Sequence, residues 1–269
     1  MKNVLSRTLL FILVSGLTTF LLATSLEETF KKQISADDFK LVSVLNQNGS
    51  VEVKGWSKDQ IEIIAYKKVR AGSQEKAEKL MEYLEINIDE SGDHLVIETI
   101  QPRRHKDKDS GFISWLLGLG NHANASVDYM IKVPHKMDLD LNSTNGGITV
   151  IECEGVIDLK TTNGKIVADN IKGSTNCKTT NGSIKAYLDD VYPKEDMTFK
   201  STNGSIKIYL PGDTNADVEA KTTNGSIRCD LPLHSTNKQS KHHFYGEIND
   251  GGSLIYIKTT NGSIKIYEN

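Results

Sequence analysis

Apolar and polar residues alternate in short runs from residue 139 to the end of the chain, and the runs meet in pairs at Asn-Gly steps. Each step is the centre of a Thr/Ser-Thr-Asn-Gly-x-Ile sequence, which occurs six times. Apolar residues stand four positions before each Asn and three and five positions after it. This alternation predicts two short strands per repeat, each with one buried face.

The repeat returns at a nearly regular interval. Successive Asn residues of the six copies are 18, 18, 22, 21 and 37 positions apart, and a weaker copy stands at Asn48-Gly49. Periods of this size are typical of a solenoid, in which equivalent residues stack on the next coil. A two-residue hairpin would also explain a single Asn-Gly step, but only stacking explains why the same residue types return at each position. We therefore predict an all-β fold, a β-solenoid with coils of about 18–22 residues and a small N-terminal α+β segment.

The Asn-Gly steps are predicted to form the corners of the coils, because Asn tolerates the positive φ of a sharp turn and Gly adopts it readily. The isoleucines that follow the steps should form one buried column. The predicted corner residues are Asn145, Gly146, Asn163, Gly164, Asn181, Gly182, Asn203, Gly204, Asn224, Gly225, Asn261 and Gly262. The isoleucines are Ile148, Ile166, Ile184, Ile206, Ile227 and Ile264.

The copy at Asn261 is expected to form the end of the stack. The interval of 37 residues before it is close to two periods, which predicts a degenerate coil near residues 242–252 with its turn at Asp250-Gly251-Gly252. A solenoid exposes unpaired backbone at its last coil. We expect residues 241–252 to fold over that end, and the alternative is that the end is a docking surface for another copy of the chain or for a partner.

Residues 38–135 lack the regular repeat and are predicted to cap the solenoid, which occupies residues 136–269. Alternating strands surround the Asn48-Gly49 step, Ser73 is placed to cap a short helix, and a hairpin is expected around Gly92. An apolar insert follows at residues 112–119. This insert is expected either to cover one end of the solenoid or to contact a membrane.

Residues 1–25 carry the pattern of an export segment. Lys2 and Arg7 precede an apolar run from Leu9 to Ala23. A helix of this length spans about 22 Å, less than the ~30 Å of a bilayer core. Small residues before Leu26 fit a cleavage site, so we predict a signal peptide, with an uncleaved membrane anchor as the alternative. Either way, the body is predicted to be exported to the cell envelope, in the periplasm or at the cell surface.

The composition excludes several classes of function. A net charge of −3 gives no reason to expect a nucleic-acid partner. Three cysteines cannot all pair within the chain, and Cys177 and Cys229 occupy columns that otherwise hold apolar residues. No metal-ligand spacing, phosphate loop or nucleophile–base motif is visible. We therefore predict no catalytic residue, no metal site and no cofactor.

Basic residues recur on the outward side of the predicted strands. They stand three positions before and four positions after the Asn of successive repeats, so stacking would align them in two ladders beside the corners. Neighbouring charges ~5 Å apart repel by only about 0.8 kcal/mol in water, so solubility alone would explain the ladders. The alternative is binding of an anionic polymer or surface. The candidate residues are Lys160, Lys178, Lys200, Lys221 and Lys258 before the Asn, and Lys185, Lys207, Arg228 and Lys265 after it.

The order of these features resembles the bacterial DUF4097 family, whose members are described as adhesins with β-strand repeats. The resemblance spans residues 38–269 and rests on the segment 127–134 before the first copy, the TTNGSI copies, and the segment 246–258 before the last one. It implies a surface-binding protein and does not identify a ligand.

Three functions therefore compete. The first is a non-enzymatic binding or scaffold protein of the cell envelope, whose partner is an envelope component, glycan or protein. The second is a membrane-tethered accessory protein of an envelope stress response. The third, a polysaccharide-cleaving enzyme on a β-helix, would need paired carboxylates on one wall. The outward columns hold Lys, Thr and Ser instead, so we favour the first.

Overall fold

The computed structural model describes residues 24–101, 123–192 and 195–269, which form twenty strands and one helix. The predicted insert at residues 112–119 and most of the predicted export segment lie outside the described residues. The N-terminal elements are β1 (Thr24–Ser35), β2 (Leu41–Asn48), β3 (Val51–Trp56), β4 (Gln60–Ala71), α1 (Gln74–Glu82), β5 (Glu85–Ser91), β6 (His94–Ile100) and β7 (Asn124–Pro134). The repeat region contains β8 (Asp138–Asn145), β9 (Ile148–Ile151), β10 (Glu154–Asn163), β11 (Ile166–Asn181), β12 (Ile184–Val191), β13 (Met197–Asn203), β14 (Ile206–Leu210), β15 (Ala216–Asn224), β16 (Ile227–Cys229), β17 (Leu233–Gln239), β18 (His243–Ile248), β19 (Ser253–Asn261) and β20 (Ile264–Glu268). The all-β prediction is confirmed.

Strands that end at the Asn of each repeat pair in parallel and form one wall of the molecule, here called wall A. Its order is β5-β6-β2-β8-β10-β11-β13-β19-β15-β18-β17, where β11 contributes its second half. The Asn residues pair with one another from strand to strand, beginning at Asn48 and ending at Asn224. The weak copy at Asn48 is therefore a member of the stack.

Strands that follow the Asn-Gly steps form a second wall, wall B. Its order is β1-β4-β7-β3-β9-β11-β12-β14-β20-β16, with β11 contributing its first half. The six predicted isoleucines pair in one row along this wall, extended by Val51 at one end. Five of the six are buried, and Ile227 in the last strand is partly exposed.

The inward residues of both walls belong to one hydrophobic core. Wall A contributes Leu141, Leu159 and Phe199, and wall B contributes the isoleucine row. Because successive side chains of a strand point to opposite faces, the residues between these positions point outward. The outward faces of walls A and B are therefore separate surfaces.

The order of the repeats in the stack differs from their order in the sequence. Strands β19 and β20, which carry Asn261 and Ile264, lie between the Asn203 repeat and the Asn224 repeat. The prediction that the Asn261 copy ends the stack is wrong, because the Asn224 copy is the last one. Local sequence could not show this, since each copy carries nearly the same residues and stacks equally well on any other.

The stretch before Asn261 forms a hairpin instead of the predicted degenerate coil. Strand β18 pairs antiparallel with β15, and β17 pairs antiparallel with β18. The turn after Ile248 uses positive φ at Asn249, Gly251 and Gly252 to lead into β19. The hairpin thus covers the outer edge of wall A at the Asn224 repeat.

The N-terminal elements close the opposite end of the stack. The predicted helix is confirmed as α1, whose first turn is capped by the Ser73 side chain, and the hairpin around Gly92 is confirmed as β5 and β6. Strand β1 pairs with β4 along its whole length and begins at Thr24, before the predicted start of the body at residue 38. Within the described ranges, no helix has the length and apolar character needed to cross a membrane.

Candidate binding faces

The residues of the repeated signature have distinct structural roles. The Thr or Ser two positions before the Asn is buried, and in five copies its hydroxyl donates to a glycine carbonyl of the adjacent repeat at 2.8–3.0 Å. The Asn side chains form a continuous ladder in which each amide nitrogen donates to the amide oxygen of a neighbour at 2.7–2.8 Å. At the Asn48 end, the amide of Asn48 donates to Gln101 at 3.0 Å. The asparagines thus join seven repeats through side chains.

The glycines of the signature are required for close approach. A Cβ atom on any of the six full-copy glycines would lie 1.8–2.2 Å from a glycine carbonyl oxygen of the neighbouring repeat. None of these six has a positive φ; only Gly49, in the weak copy, does, with a φ of 112°. The prediction that Asn-Gly supplies positive φ is therefore wrong for the six full copies. Glycine is required there because any side chain would collide with the backbone of the adjacent repeat.

Wall A carries the first basic ladder on its outward face. Five lysines occupy consecutive strands in the order Lys160, Lys178, Lys200, Lys258 and Lys221. Adjacent strands in a sheet lie about 4.8 Å apart, so the ladder places one lysine at each step of that length. Asn142 continues the row toward the N-terminal end and His243 ends it at β18.

Wall B carries the second ladder, in the order Lys185, Lys207, Lys265 and Arg228. The nine predicted residues therefore form two surfaces on different walls. The sequence analysis expected two ladders that flank the Asn-Gly corner, and here one ladder lies on each of the two walls that meet at that corner.

Carboxylates partly neutralise the ends of the ladders. Lys160 lies 3.8 Å from Asp140, Lys221 lies 2.5 Å from Glu219, and Arg228 lies 2.6 Å from Asp230. The hydrogen bond to Lys221 lowers the pKa of Glu219, and the same bond raises the pKa of Lys221. Lys178, Lys258, Lys207 and Lys265 have no ion-pair partner among the described residues. The charge free for a ligand is therefore concentrated in the middle of each ladder.

Tyrosine rings form a feature of wall B that the sequence analysis missed. Tyr187 and Tyr209 stack with centroids 4.2 Å apart, and Tyr209 and Tyr267 with centroids 5.1 Å apart. Lys185 lies 4.6 Å from the Tyr187 ring, and the hydrogen bond to Tyr187 raises the pKa of Lys185. The signal was present as a Tyr three positions after three of the isoleucines. These contacts engage Lys185 with its own wall.

A threonine row runs beside the lysines of wall A. These threonines directly precede the Asn of each full copy, and five are exposed while Thr260 is partly exposed. None of their hydroxyls bonds to another residue in the described ranges. A shallow groove of about 510 Å³ lies along the first part of the row, lined by Lys160, Lys178 and their threonine neighbours. The row consists of Thr144, Thr162, Thr180, Thr202, Thr260 and Thr223.

The three cysteines are free, and Cys153 and Cys177 are buried. Burial raises the pKa of the Cys153 thiol to about 12, and burial also raises the pKa of Cys177 and Cys229. A thiol with a raised pKa is a poor nucleophile at neutral pH. Across residues 24–101, 123–192 and 195–269, no group of three or more His, Cys, Asp or Glu side chains is placed to hold a metal ion.

The fold and faces define an all-β protein of stacked repeats with a basic row on each wall. The model of the Toastrack DUF4097 family matches residues 32–267, and the chain belongs to this family. The resemblance predicted from the sequence is confirmed, and its start moves from residue 38 to residue 32. No curated protein matches the chain.

Several solved structures are similar to the chain at low identity. One is a "putative cell adhesion protein" of Clostridium sporogenes, with 13% identity, 90% of this chain and 100% of that chain covered, and a TM-score of 0.47. Another is a "putative adhesin" of Bacteroides fragilis, with 10% identity, coverage of 90% and 97%, and a TM-score of 0.44. A third is a "putative lipid binding protein" of Parabacteroides distasonis, with 11% identity, coverage of 90% and 96%, and a TM-score of 0.24.

Proposed function

We propose that this protein is a non-enzymatic binding module of the cell envelope that engages an anionic polymer or surface through its basic ladders. The observation that carries the proposal is the continuity of the ladders, with five lysines in consecutive strands of wall A and four basic residues in wall B. A row of like charges attracts an extended polyanion more strongly than the same charges scattered over the surface. The unpaired lysines at the centre of each row support this function.

The architecture we infer for this module is a β-solenoid with coils of 18–22 residues. It is supported by the parallel register of the Asn and Ile positions along walls A and B. Removing residues 164–181, one complete interval between Asn163 and Asn181, should leave a folded protein, because the neighbours of the deleted repeat present matching rows. Removing residues 164–172, half of that interval, should abolish folding as judged by circular dichroism. Equal loss of folding in both deletions would contradict the solenoid.

The binding proposal is tested by measuring retention of the purified chain on immobilised polyanions and on vesicles that contain anionic lipids. Binding should weaken steadily as salt is increased, since exposed charges are screened. Replacement of all nine ladder residues with Gln is expected to abolish it. An absence of salt-sensitive binding to every anionic probe would overturn the proposal and leave solubility as the role of the ladders.

A membrane-tethered accessory protein is the second candidate, favoured by the positions of two strand ends next to apolar segments of the sequence. Ser25 pairs with Arg70, and Arg70 pairs with Asn124. The start of β1, which follows the apolar run of residues 9–23 in the sequence, and the start of β7, which follows the apolar run of residues 112–119, therefore lie on either side of the same end of β4. Cell fractionation with determination of the mature N-terminus tests this candidate. A soluble mature protein that begins at Leu26 would contradict it.

A further inference from the structure

The two outward faces differ in what they leave free for a ligand. On wall B, Lys185 contacts the tyrosine stack, and the serines that directly precede its strands, Ser205, Ser226 and Ser263, lie within hydrogen-bonding distance of one another. Lys178 and Lys258 on wall A have no ion-pair partner among the described residues, as is also the case for Lys207 and Lys265 on wall B, and Lys200 lies 5.1 Å from the Tyr256 ring. What distinguishes wall A is its threonine row, which makes no hydrogen bond within the described residues. Wall A therefore offers both charge and neutral hydroxyl groups.

The threonine row is not explained by the packing of the repeat. Each repeat has two hydroxyl residues before its Asn, and the first of them is buried and in most copies bonded to the adjacent repeat. The second, such as Thr180 or Thr202, points outward without a partner. The β-branched shape that suits a strand would be supplied equally by valine. A repeated free hydroxyl beside a repeated lysine has the chemistry to recognise a ligand that is itself both hydroxylated and anionic.

The geometry of the rows restricts the shape of such a ligand. Lysines and threonines recur together at steps of about 4.8 Å, the distance between neighbouring strands. This step is comparable to the advance of one pyranose unit along an extended polysaccharide. A sugar polymer with one acidic group per residue would present a carboxylate to each lysine and hydroxyls to each threonine. Inorganic polyphosphate places its charges closer together and has no hydroxyl groups along its chain.

We propose that wall A binds one chain of a linear acidic polysaccharide, lying along the stack axis with one uronate-type sugar on each repeat from Lys160 to Lys221. This proposal rests on the proposed function and assigns its ligand class and its face. The central lysines, Lys178, Lys200 and Lys258, hold the carboxylates. Lys160 and Lys221 bind more weakly because Asp140 and Glu219 compete for them. The groove at Lys160 and Lys178 receives one end of the polymer.

The test compares two triple variants of the full chain for binding to polygalacturonate, measured by calorimetry at fixed salt. Lys178→Gln/Lys200→Gln/Lys258→Gln removes three charges from wall A, and Lys185→Gln/Lys207→Gln/Lys265→Gln removes three from wall B. Each exposed charge contact contributes little by itself, so the loss of three from wall A should weaken binding roughly tenfold. The wall B variant, with the same net charge, should stay within about twofold of the parent.

The hydroxyl row is tested by Thr180→Val/Thr202→Val/Thr260→Val, which preserves charge and side-chain shape. This variant should bind polygalacturonate more weakly and bind polyphosphate as the parent does. Affinity for oligogalacturonates should rise with length and level off once the five lysines are spanned. Circular dichroism confirms folding of each variant. If the wall A lysine triple variant fails to fold, Lys178→Gln alone replaces it.

Several outcomes would overturn the inference without touching the proposed function. Equal weakening by the two lysine variants would show that only total charge matters. Binding to anionic vesicles without binding to polygalacturonate would assign the ladders to a membrane surface. Equal affinity for polyphosphate and polygalacturonate would reject the sugar assignment. The failure of every anionic probe would instead overturn the proposed function itself.

Discussion

Replacing Gly182 with alanine is expected to destabilise the stack severely, although the change adds a single methyl group. The new Cβ would lie 1.9 Å from the carbonyl oxygen of Gly164 in the adjacent repeat. An ordinary contact is about 3.5 Å, so the two corners would have to separate by roughly 1.6 Å. Neighbouring bonds include Thr179 Oγ1 to Gly164 O at 3.0 Å and Gly164 N to Asn181 O at 3.1 Å. Neither survives such a separation.

The cost follows from these bonds and from the overpacking. Two or three hydrogen bonds contribute about 1 kcal/mol each, and the forced backbone shift adds about 1–3 kcal/mol. We expect a loss of roughly 3–5 kcal/mol, a large part of the 5–15 kcal/mol that stabilises a typical domain. Urea denaturation followed by circular dichroism and by tryptophan fluorescence measures the change in the free energy of unfolding.

Two control variants test whether the loss of stability comes from the contact with the adjacent repeat or from the backbone conformation of the glycine. Gly72→Ala meets no atom within 4 Å and should change stability by less than about 0.5 kcal/mol. Gly182→Asn distinguishes the two explanations, because Asn tolerates a positive φ but carries the same Cβ as alanine. It should be at least as destabilising as Gly182→Ala. Parent-like stability of both Gly182 variants would refute the stacking argument.

Three further outcomes are expected. Ile206→Ala should lower the free energy of unfolding by about 2–5 kcal/mol in urea denaturation, because Ile206 is fully buried. Lys207→Ala should change it by no more than about 0.5 kcal/mol. Equal losses would contradict the assignment of inward and outward faces. Tyr129→Phe should cost about 1 kcal/mol, since it removes a buried hydroxyl 2.6 Å from Thr99. Burial also raises the pKa of Tyr129 from 10.0 to about 12, so the Tyr129 hydroxyl loses its proton at a lower pH in the unfolded state than in the folded state. The free energy of unfolding should therefore fall as the pH rises from 10 to about 12, and it should fall less steeply in Tyr129→Phe. Cys153 should resist thiol reagents at neutral pH until urea unfolds the chain, since its pKa is raised to about 12; rapid labelling of the native protein at this position would contradict its burial.

The sequence was sufficient to predict the rows of the stack. Ile184 pairs with Ile206, and Lys185 pairs with Lys207, as their equivalent positions in the repeat predict. Periodicity determines which residues share a row, because every repeat presents the same residue at the same position. It also indicated the weak copy at Asn48, whose amide accepts from Asn145 at 2.8 Å.

Features that depend on distances between backbones were not predictable from the pattern. The role of Gly182 required the 1.9 Å approach to a neighbouring carbonyl, which no single repeat reveals. The separation of Lys178 from Lys185 depends on their strands belonging to different walls. The free hydroxyl of Thr180 could be distinguished from the bonded one of Thr179 only after the hydrogen bonds were known.

The insertion of β19 and β20 between earlier repeats has a consequence for how the chain is made. A protein emerges from the ribosome from its N-terminus, and most stacked repeats can add in that order. Among the strands of the described residues, β15 pairs with β18 and β19 alone, and β16 pairs with β20 alone. The Asn224 repeat therefore has no partner in the stack until β19 and β20 have been synthesised. A chain cut short before residue 253 would leave β13 and β14 as open edges, and such edges favour aggregation of the truncated product.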